Sequence, residues 1–251
     1  MSTNTGTHAN RTSTGDESTR GGSLRRYAIV AGVGYVALFV LGIFANFFVR
    51  EGLIVGGDAA QTAANILESE GLFRVGMVSF LAIFVIDVVV AWALYVLFQK
   101  VNPSVSLMTA WFRIVYTVFL GVAVIFFYQA LQLLSGSEFL SVFDAGQLEA
   151  QALLAADTFN STWLIGLLVF GVHLVLLGWL VVKSSAPRIL GYVLMVAGLA
   201  YMADTIAHTV LANYVDYENL FLVIVAVPSV IAEGWMGLWL LVKGGRSQPT
   251  A

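Results

Sequence analysis

The sequence has no cysteine among its 251 residues, which removes several kinds of chemistry at once. A chain without thiols forms no disulfide, presents no thiolate nucleophile and holds neither Cys-ligated zinc nor an iron–sulfur cluster. Charged residues are also scarce, at 11% against 59% hydrophobic residues, whereas soluble domains carry about 25% charged residues. This composition predicts that lipid is the solvent for most of the chain, so the lipid bilayer is the first partner that we expect.

Other signals of function are missing as well. A net charge of −3 without a basic stripe excludes nucleic acid as a partner. The chain has no G-x-S-x-G, H-E-x-x-H or P-loop motif. Asp204 and His208 share a helix face, yet a catalytic zinc needs three protein ligands. His173 and His208 differ by about 15 Å in depth, too far for a bis-histidine haem. We therefore expect no metal and no cofactor.

Six apolar segments are each near or above the roughly 20 residues that a membrane-crossing helix needs. They predict an all-α, polytopic transmembrane bundle of six helices within residues 25–245. Residues 1–24 are rich in Thr, Ser and Gly and have no apolar periodicity, so we predict a disordered cytoplasmic tail; residues 246–251 form a second short tail. The predicted spans are 27–49, 71–98, 105–133, 159–182, 188–213 and 219–242.

The basic residues predict the orientation. The loops on one side of the bundle hold only Arg50 and Arg74, whereas the other basic residues near the helix ends lie on the side of the termini. Because cytoplasmic loops carry the excess of Lys and Arg, both termini are predicted to be cytoplasmic, in a multi-pass protein of the plasma membrane. Three of these residues, Lys183, Arg188 and Lys243, form a predicted inner interface that either contacts anionic lipid headgroups or simply anchors the topology.

The two long outer loops share a capping pattern. Asp58 precedes Gln61 by three residues, and Asp144 precedes Gln147 by the same spacing. This is a variant of the capping box that starts helices. We expect each to begin a short amphipathic helix over the outer mouth of the bundle; ordinary connectors are the alternative.

Five ionisable residues from five helices fall near the membrane midplane when depth is counted at about 1.5 Å per residue. Such residues usually face the bundle interior and pair with one another. We expect Arg113 to pair with one or two carboxylates, Asp87 and Glu233 being the best placed, and the remaining acid to be neutral. The predicted buried polar cluster is Asp87, Arg113, His173, Asp204 and Glu233, with Arg74, Tyr116, Tyr201 and Ser229 as secondary polar residues.

Several segments carry a family resemblance. They are Phe73-Arg74, IDVVVAWALY around Asp87, Phe112-Arg113, FGVHLVLLGWLVVKSSAPRILGYVL at 170–194, YMAD at 201–204 and AEGWMGLWLLVKG at 232–244. Together they resemble the domain-of-unknown-function family numbered 4386, over roughly residues 27–244. The resemblance implies a prokaryotic integral membrane protein and brings no established activity. His208 and Trp235 fall outside the pattern. Its characteristic positions correspond to Arg74, Asp87, Arg113, His173, Ser184, Pro187, Arg188, Gly191, Tyr201, Asp204, Glu233 and Lys243.

Three functional hypotheses follow from the sequence. The first is that the protein binds or transports a small solute, a lipid or a proton at the polar cluster. The second is an intramembrane enzyme acting on a lipid, with Glu233 or Asp204 as the acid and His173 as the base; the missing motifs make an enzyme the less favoured class. The third is a non-catalytic structural or regulatory subunit, in which the buried charges only fix helix register. The sequence specifies neither the ligand nor the oligomeric state.

Overall fold

The computed structural model describes residues 13–245, with side chains from Leu24 onward. This part of the chain is helical and contains no strand, which confirms the all-α prediction. The first helix continues through a π-helical segment, Phe44–Arg50, and a short turn, Glu51–Leu53. The seven longer helices are α1 (Ser13–Ile43), α2 (Ala59–Glu68), α3 (Glu70–Phe98), α4 (Pro103–Leu133), α5 (Ala145–Lys183), α6 (Arg188–Val210) and α7 (Glu218–Val242).

Six of the helical stretches in residues 13–245 are long and apolar enough to cross a membrane, as predicted. An even number of crossings places both ends of the bundle on one face, which we call the termini side; Arg25 and Lys243 lie there. The opposite face, with Arg50 and Arg74, is the far side. The cytoplasmic position of the termini side and the plasma membrane as the location remain predictions.

Helix α1 begins at Ser13, so residues 13–24 of the predicted tail are helical. Residues 1–12 of that tail and the predicted short tail at 246–251 lie outside the described residues. The division of the chain into two tails and a membrane domain remains a prediction.

The two predicted helix caps are present. The Asp58 carboxylate accepts a hydrogen bond from the Gln61 backbone at 2.9 Å and starts α2. Asp144 accepts from the Gln147 backbone at 2.8 Å, and the Gln147 side chain accepts from the Asp144 backbone at 3.2 Å. These contacts satisfy N–H groups that a helix start leaves without partners.

The second cap, however, does not begin a separate surface helix. Helix α5 runs unbroken through its 39 residues into the fourth span, because residues 147–165 contain no glycine or proline that would end a helix. At about 1.5 Å per residue this helix is about 58 Å long, roughly twice the hydrocarbon thickness. Its first turns therefore extend past the membrane on the far side, where α2 packs against it.

We expect Asp144→Ala to lower the free energy of unfolding by about 1 kcal/mol, because it removes the acceptor that starts α5. Thermal unfolding in detergent micelles measures the change. Asp157→Ala is the matched control, since Asp157 is exposed and lies inside the same helix. Equal effects of the two substitutions would show that the cap contributes nothing.

Glycines bring α5 and α6 into backbone contact. A Cβ at Gly171 would lie 2.5 Å from the carbonyl oxygen of Gly198, and one at Gly178 would lie 2.5 Å from that of Gly191. Small residues permit this close approach of helices in lipid. Gly191 and Gly198 thus form the contact surface of α6 with α5.

Helices α1 and α7 are joined near the termini side. The Arg25 guanidinium donates to the carbonyl oxygens of Leu240 and Gly244 at 2.9 Å each, and also to that of Leu241. A cation there satisfies carbonyl groups that the end of α7 leaves without helical partners. Farther along, Gly32 packs against Leu241, and Gly237 against the Cβ of Tyr35. These contacts fix an antiparallel register between the first and last spans.

Candidate functional site

Arg113 on α4 lies at the centre of the buried polar residues. The residue is 1% exposed, and its Nε and Nη2 atoms donate to the same Oδ1 atom of Asp87 at 2.8 and 2.5 Å. The ion pair between Arg113 and Asp87, which their similar depth along the helices predicts, is therefore present between α4 and α3. Two charges out of water are tolerated here because they neutralise each other and are hydrogen-bonded.

His173 on α5 contacts the other side of the guanidinium. Its Nε2 atom lies 3.2 Å from Nη1 of Arg113, and its Nδ1 atom lies 2.8 Å from the carbonyl oxygen of Thr109. A carbonyl only accepts and a guanidinium only donates, so the proton of the imidazole is on Nδ1 and Nε2 is the acceptor. His173 is a neutral imidazole with both nitrogens engaged inside the core, where it is fully buried.

Tyr35 on α1 completes the surroundings of Arg113, and the sequence reasoning missed it. Its hydroxyl oxygen lies 3.2 Å from Nη1 of Arg113, and its ring centroid is 5.1 Å from the guanidinium carbon; the Phe170 ring is at 5.4 Å. The predicted cluster contains only Asp, Glu, Arg and His residues, and Tyr35 is none of these. The available signal was a face of small residues, since Tyr35 follows Ala28, Ala31 and Gly32 at helical spacing.

Glu233 on α7 has a different environment. It is half-buried, and its Oε1 atom accepts a hydrogen bond from the Tyr201 hydroxyl at 3.3 Å. The side-chain ion pairs within the described part of the chain are Arg50–Glu51, Arg74–Glu70 and Arg113–Asp87. Glu233 therefore has no cationic partner among these residues, and the expected second carboxylate of Arg113 is absent.

Asp204 does not join the contacts of Arg113. Its Oδ1 atom accepts a hydrogen bond of 2.6 Å from the hydroxyl of Tyr214, whose ring packs on His208 and Phe221 with centroids 4.7 and 5.5 Å apart. Counting residues gives the level of a side chain along a helix but not the direction it faces. The turn Tyr214–Tyr217 supplies a closer partner for Asp204 on the far side.

Among the secondary polar residues, some lie near the cluster and others lie away from it. Ser229 donates to the Val225 carbonyl of its own helix at 2.6 Å. Tyr116 lies near the cluster, with its hydroxyl 3.5 Å from Nε1 of Trp163. Arg74 forms an exposed pair with Glu70 at the far side. The inner-interface residues Lys183, Arg188 and Lys243 lie at helix ends on the termini side, away from the cluster.

A cavity of about 420 Å³ borders the polar residues and is lined by all six spans. Its volume falls within the range of small-molecule sites, about 300–1,000 Å³. Asp87, Arg113 and Glu233 are on its wall, whereas His173 and Asp204 are not. No group of three or more His, Asp or Glu residues suited to a metal ion occurs among the side chains described, residues 24–245. The other polar or aromatic wall residues are Tyr35, Phe39, Asn46, Phe80, Tyr116, Trp163, Phe170, Tyr201 and Ser229.

Comparisons with known proteins agree with this architecture. The chain is 29% identical over 171 residues to a protein of Archaeoglobus fulgidus named "Uncharacterized protein", covering 68% of this chain and 84% of the relative. No solved structure matches the chain. A family model described as "Domain of unknown function (DUF4386)" matches residues 30–244, from the first span to the end of the last. That match covers the whole helical bundle, and the chain is a multi-pass membrane protein that belongs to the DUF4386 family.

Proposed function

We propose that the cavity is a ligand site, and that the protein binds or transports a small solute, a lipid or a proton there. The observation that carries this proposal is a carboxylate on the cavity wall, Glu233, that has no ion-pair partner among the described side chains. Glu233 lies about 15 Å along its helix from Lys243, near the level of the midplane. An ionisable group at that depth is costly, and such groups mark ligand and ion pathways in membrane proteins.

The polar residues separate into two parts with different roles. Arg113 hydrogen-bonds both His173 and Tyr35, and all three side chains are buried. This part needs no ligand to explain it, since it joins α1, α4 and α5 through satisfied contacts. Glu233 accepts its hydrogen bond from Tyr201, and both residues line the cavity. The second part is the one that we assign to ligand binding.

The geometry favours binding over the enzyme hypothesis. That hypothesis needs His173 as a base, but a base must reach the proton that it abstracts. His173 is fully buried, is absent from the cavity wall and has both nitrogens engaged. The hypothesis of a purely structural subunit accounts for the Asp87–Arg113 pair and leaves the cavity and Glu233 without a role.

Filling the cavity tests the proposed function. Leucine at Gly234 would occupy space on the cavity wall where a Cβ meets nothing within 4 Å. We expect any ligand that co-purifies with the wild type in lipid nanodiscs to be depleted at least about tenfold in Gly234→Leu, a loss of about 1.4 kcal/mol. Extraction and mass spectrometry of the bound small molecules measure the depletion.

Gly71→Leu is the matched control, because a Cβ at Gly71 also meets nothing within 4 Å, but this residue lies outside the cavity. It should retain the ligand at the wild-type level. Identical small-molecule content in all three proteins, or none enriched in the wild type over empty nanodiscs, would contradict a ligand site in the cavity.

A further inference from the structure

The charges on the cavity wall do not cancel. Asp87 and Arg113 neutralise each other as an ion pair, and Glu233 then adds one negative charge whenever it is ionised. No other Asp, Glu, Lys or Arg of the described chain lies on this wall. A ligand that brings one positive charge would remove the imbalance inside a medium where an uncompensated charge is costly.

The groups that face the cavity are mainly acceptors. Both donors that Arg113 directs at Asp87 end on Oδ1, so among the described residues Oδ2 has no hydrogen bond. Asp87 is only 2% exposed. Every buried side-chain oxygen of the described residues has a hydrogen-bond partner, so the Oδ2 atom, which has none, must have accessible surface. The Oδ2 atom therefore faces the cavity, as the Glu233 carboxylate does. Two carboxylate oxygens on one wall fit a ligand with N–H donors.

Arg113 is poorly placed to bind an anion. All three of its nitrogens donate within the core, to Asp87, Tyr35 and His173. The rings of Tyr35 and Phe170 lie near the guanidinium carbon at 5.1 and 5.4 Å. An anionic headgroup would have to displace these contacts while it lies close to Glu233.

Aromatic rings form much of the remaining wall. Their faces attract a cation within about 6 Å of the ring centroid, and their surfaces also accept an apolar chain. Rings and acids together match a molecule with a cationic head and an apolar body. The rings on the wall that do not stack on Arg113 are Phe39, Phe80, Tyr116, Trp163 and Tyr201.

The cavity has a lateral opening between α1 and α7. The contacts of Gly32 with Leu241 and of Tyr35 with Gly237 fix the register of the two helices. This register places Phe39 opposite Gly234 and Gly42 opposite Val230, and all four residues line the cavity.

The space beside the two glycines is open. A Cβ at Gly42 or Gly234 would meet nothing within 4 Å, and Phe39 and Val230, which also line the cavity, are 41% and 53% exposed. The opening is within both spans, so it faces hydrocarbon rather than water.

From these observations we infer that the ligand is a lipophilic amine, held as its ammonium cation by Glu233 with Asp87, and admitted from the lipid between α1 and α7. This inference rests on the proposed function, because it names the class of ligand for the same cavity. The ammonium donates its N–H groups to the carboxylate oxygens, and the apolar body extends through the opening along the exposed faces of α1 and α7.

Three probes with one chain length test the assignment. Dodecylamine, dodecanol and dodecanoate are titrated into the full-length protein in zwitterionic nanodiscs, and the shift of the thermal unfolding midpoint reports binding. We expect dodecylamine to bind most tightly to the wild type. In Glu233→Gln its affinity should fall about 10- to 100-fold, the loss expected for a hydrogen bond to a charged group.

Two variants serve as controls. Glu70→Gln removes an exposed acid on the far side and should leave the affinity for dodecylamine unchanged. Glu233→Asp keeps the charge and should still prefer the amine over the alcohol. The comparison of the three headgroups on the wild type decides the question even if Glu233→Gln does not fold.

Equal binding of the amine and the alcohol, tighter binding of dodecanoate, or binding that survives in Glu233→Gln would each overturn the amine assignment. If all three compounds bind equally and Gly234→Leu weakens all of them, the amine assignment is wrong and the cavity is still a ligand site. Binding of none of them overturns the amine assignment alone, since the co-purification comparison tests the cavity separately.

Discussion

Asp87→Asn is expected to destabilise the protein by about 3 to 5 kcal/mol, the cost of leaving one charge of a buried pair without its partner. Arg113 directs two N–H bonds at one oxygen of Asp87, and both side chains are 2% exposed. The neutral amide keeps an acceptor at that place but does not compensate the guanidinium. Tyr35 and His173, the other partners of Arg113, carry no compensating negative charge.

Denaturant or thermal unfolding in detergent micelles measures this effect. Glu70→Gln is the matched control, because it removes the acid of the exposed Arg74–Glu70 pair, and exposed pairs contribute only about 0 to 1 kcal/mol. Glu233→Gln should also change stability little, since Glu233 forms no ion pair with the side chains of residues 24–245. A small loss of stability in Asp87→Asn, or an equally large loss in Glu233→Gln, would contradict the claim that only Asp87 compensates a buried charge.

Gly198→Ala should destabilise the contact between α5 and α6 by about 1 to 3 kcal/mol, the usual cost of overpacking. The added Cβ would lie 2.5 Å from the carbonyl oxygen of Gly171 and 3.0 Å from the backbone nitrogen of Val175. Backbone atoms cannot rotate away as a side chain does, so the two helices must move apart. Unfolding in detergent micelles again measures the loss.

Gly234→Ala is the control, and for this variant we expect a gain in stability instead of a loss. Gly234 is inside α7, and a Cβ there meets nothing within 4 Å. Alanine in a helix interior is favoured over glycine by about 0.5 to 1 kcal/mol, so this variant should be slightly stabilised. Stabilisation of both variants would show that α5 and α6 are not in backbone contact.

Much of the fold was predictable because each span carries its own signal. Length and hydropathy define the six helices, and local spacing defines the caps at Asp58 and Asp144. The approximate level of Arg113 and Asp87 also follows from the sequence, because rise per residue is nearly constant in a helix. Depth alone leaves both Asp87 and Glu233 as candidate partners of Arg113, and the folded arrangement selects Asp87.

The rest of the site depends on which way each helix faces, and hydropathy is nearly uniform around these helices. Asp204 is one turn from Tyr201 on the same helix, yet it bonds to Tyr214 while Tyr201 bonds to Glu233. Tyr35 carries no charge, so a count of ionisable residues does not include it. The continuation of α5 into the far-side loop depends on the absence of a stop signal, which is a weak local pattern.

The cavity and its opening are the least predictable features. They depend on the register of the first span with the last, whose contacts join residues about 200 positions apart, such as Gly32 with Leu241. No local pattern specifies that register. No local sequence pattern distinguishes Gly42 and Gly234 from the other glycines. Only the folded arrangement places both on the cavity wall.

The central claim is that Glu233 is the reachable acid that binds the ligand, whereas Asp87 is neutralised by Arg113 and turns only one oxygen toward the cavity. Labelling by a lipid-soluble carbodiimide, which attacks carboxyl groups that it can reach from hydrocarbon, tests this most directly. Peptide mapping by mass spectrometry after reaction in nanodiscs should find the modification on Glu233, which lies beside the lateral opening, and not on Asp87, whose carboxylate is paired with Arg113. Modification of Asp87 at a comparable rate, or no modification of Glu233, would contradict the account.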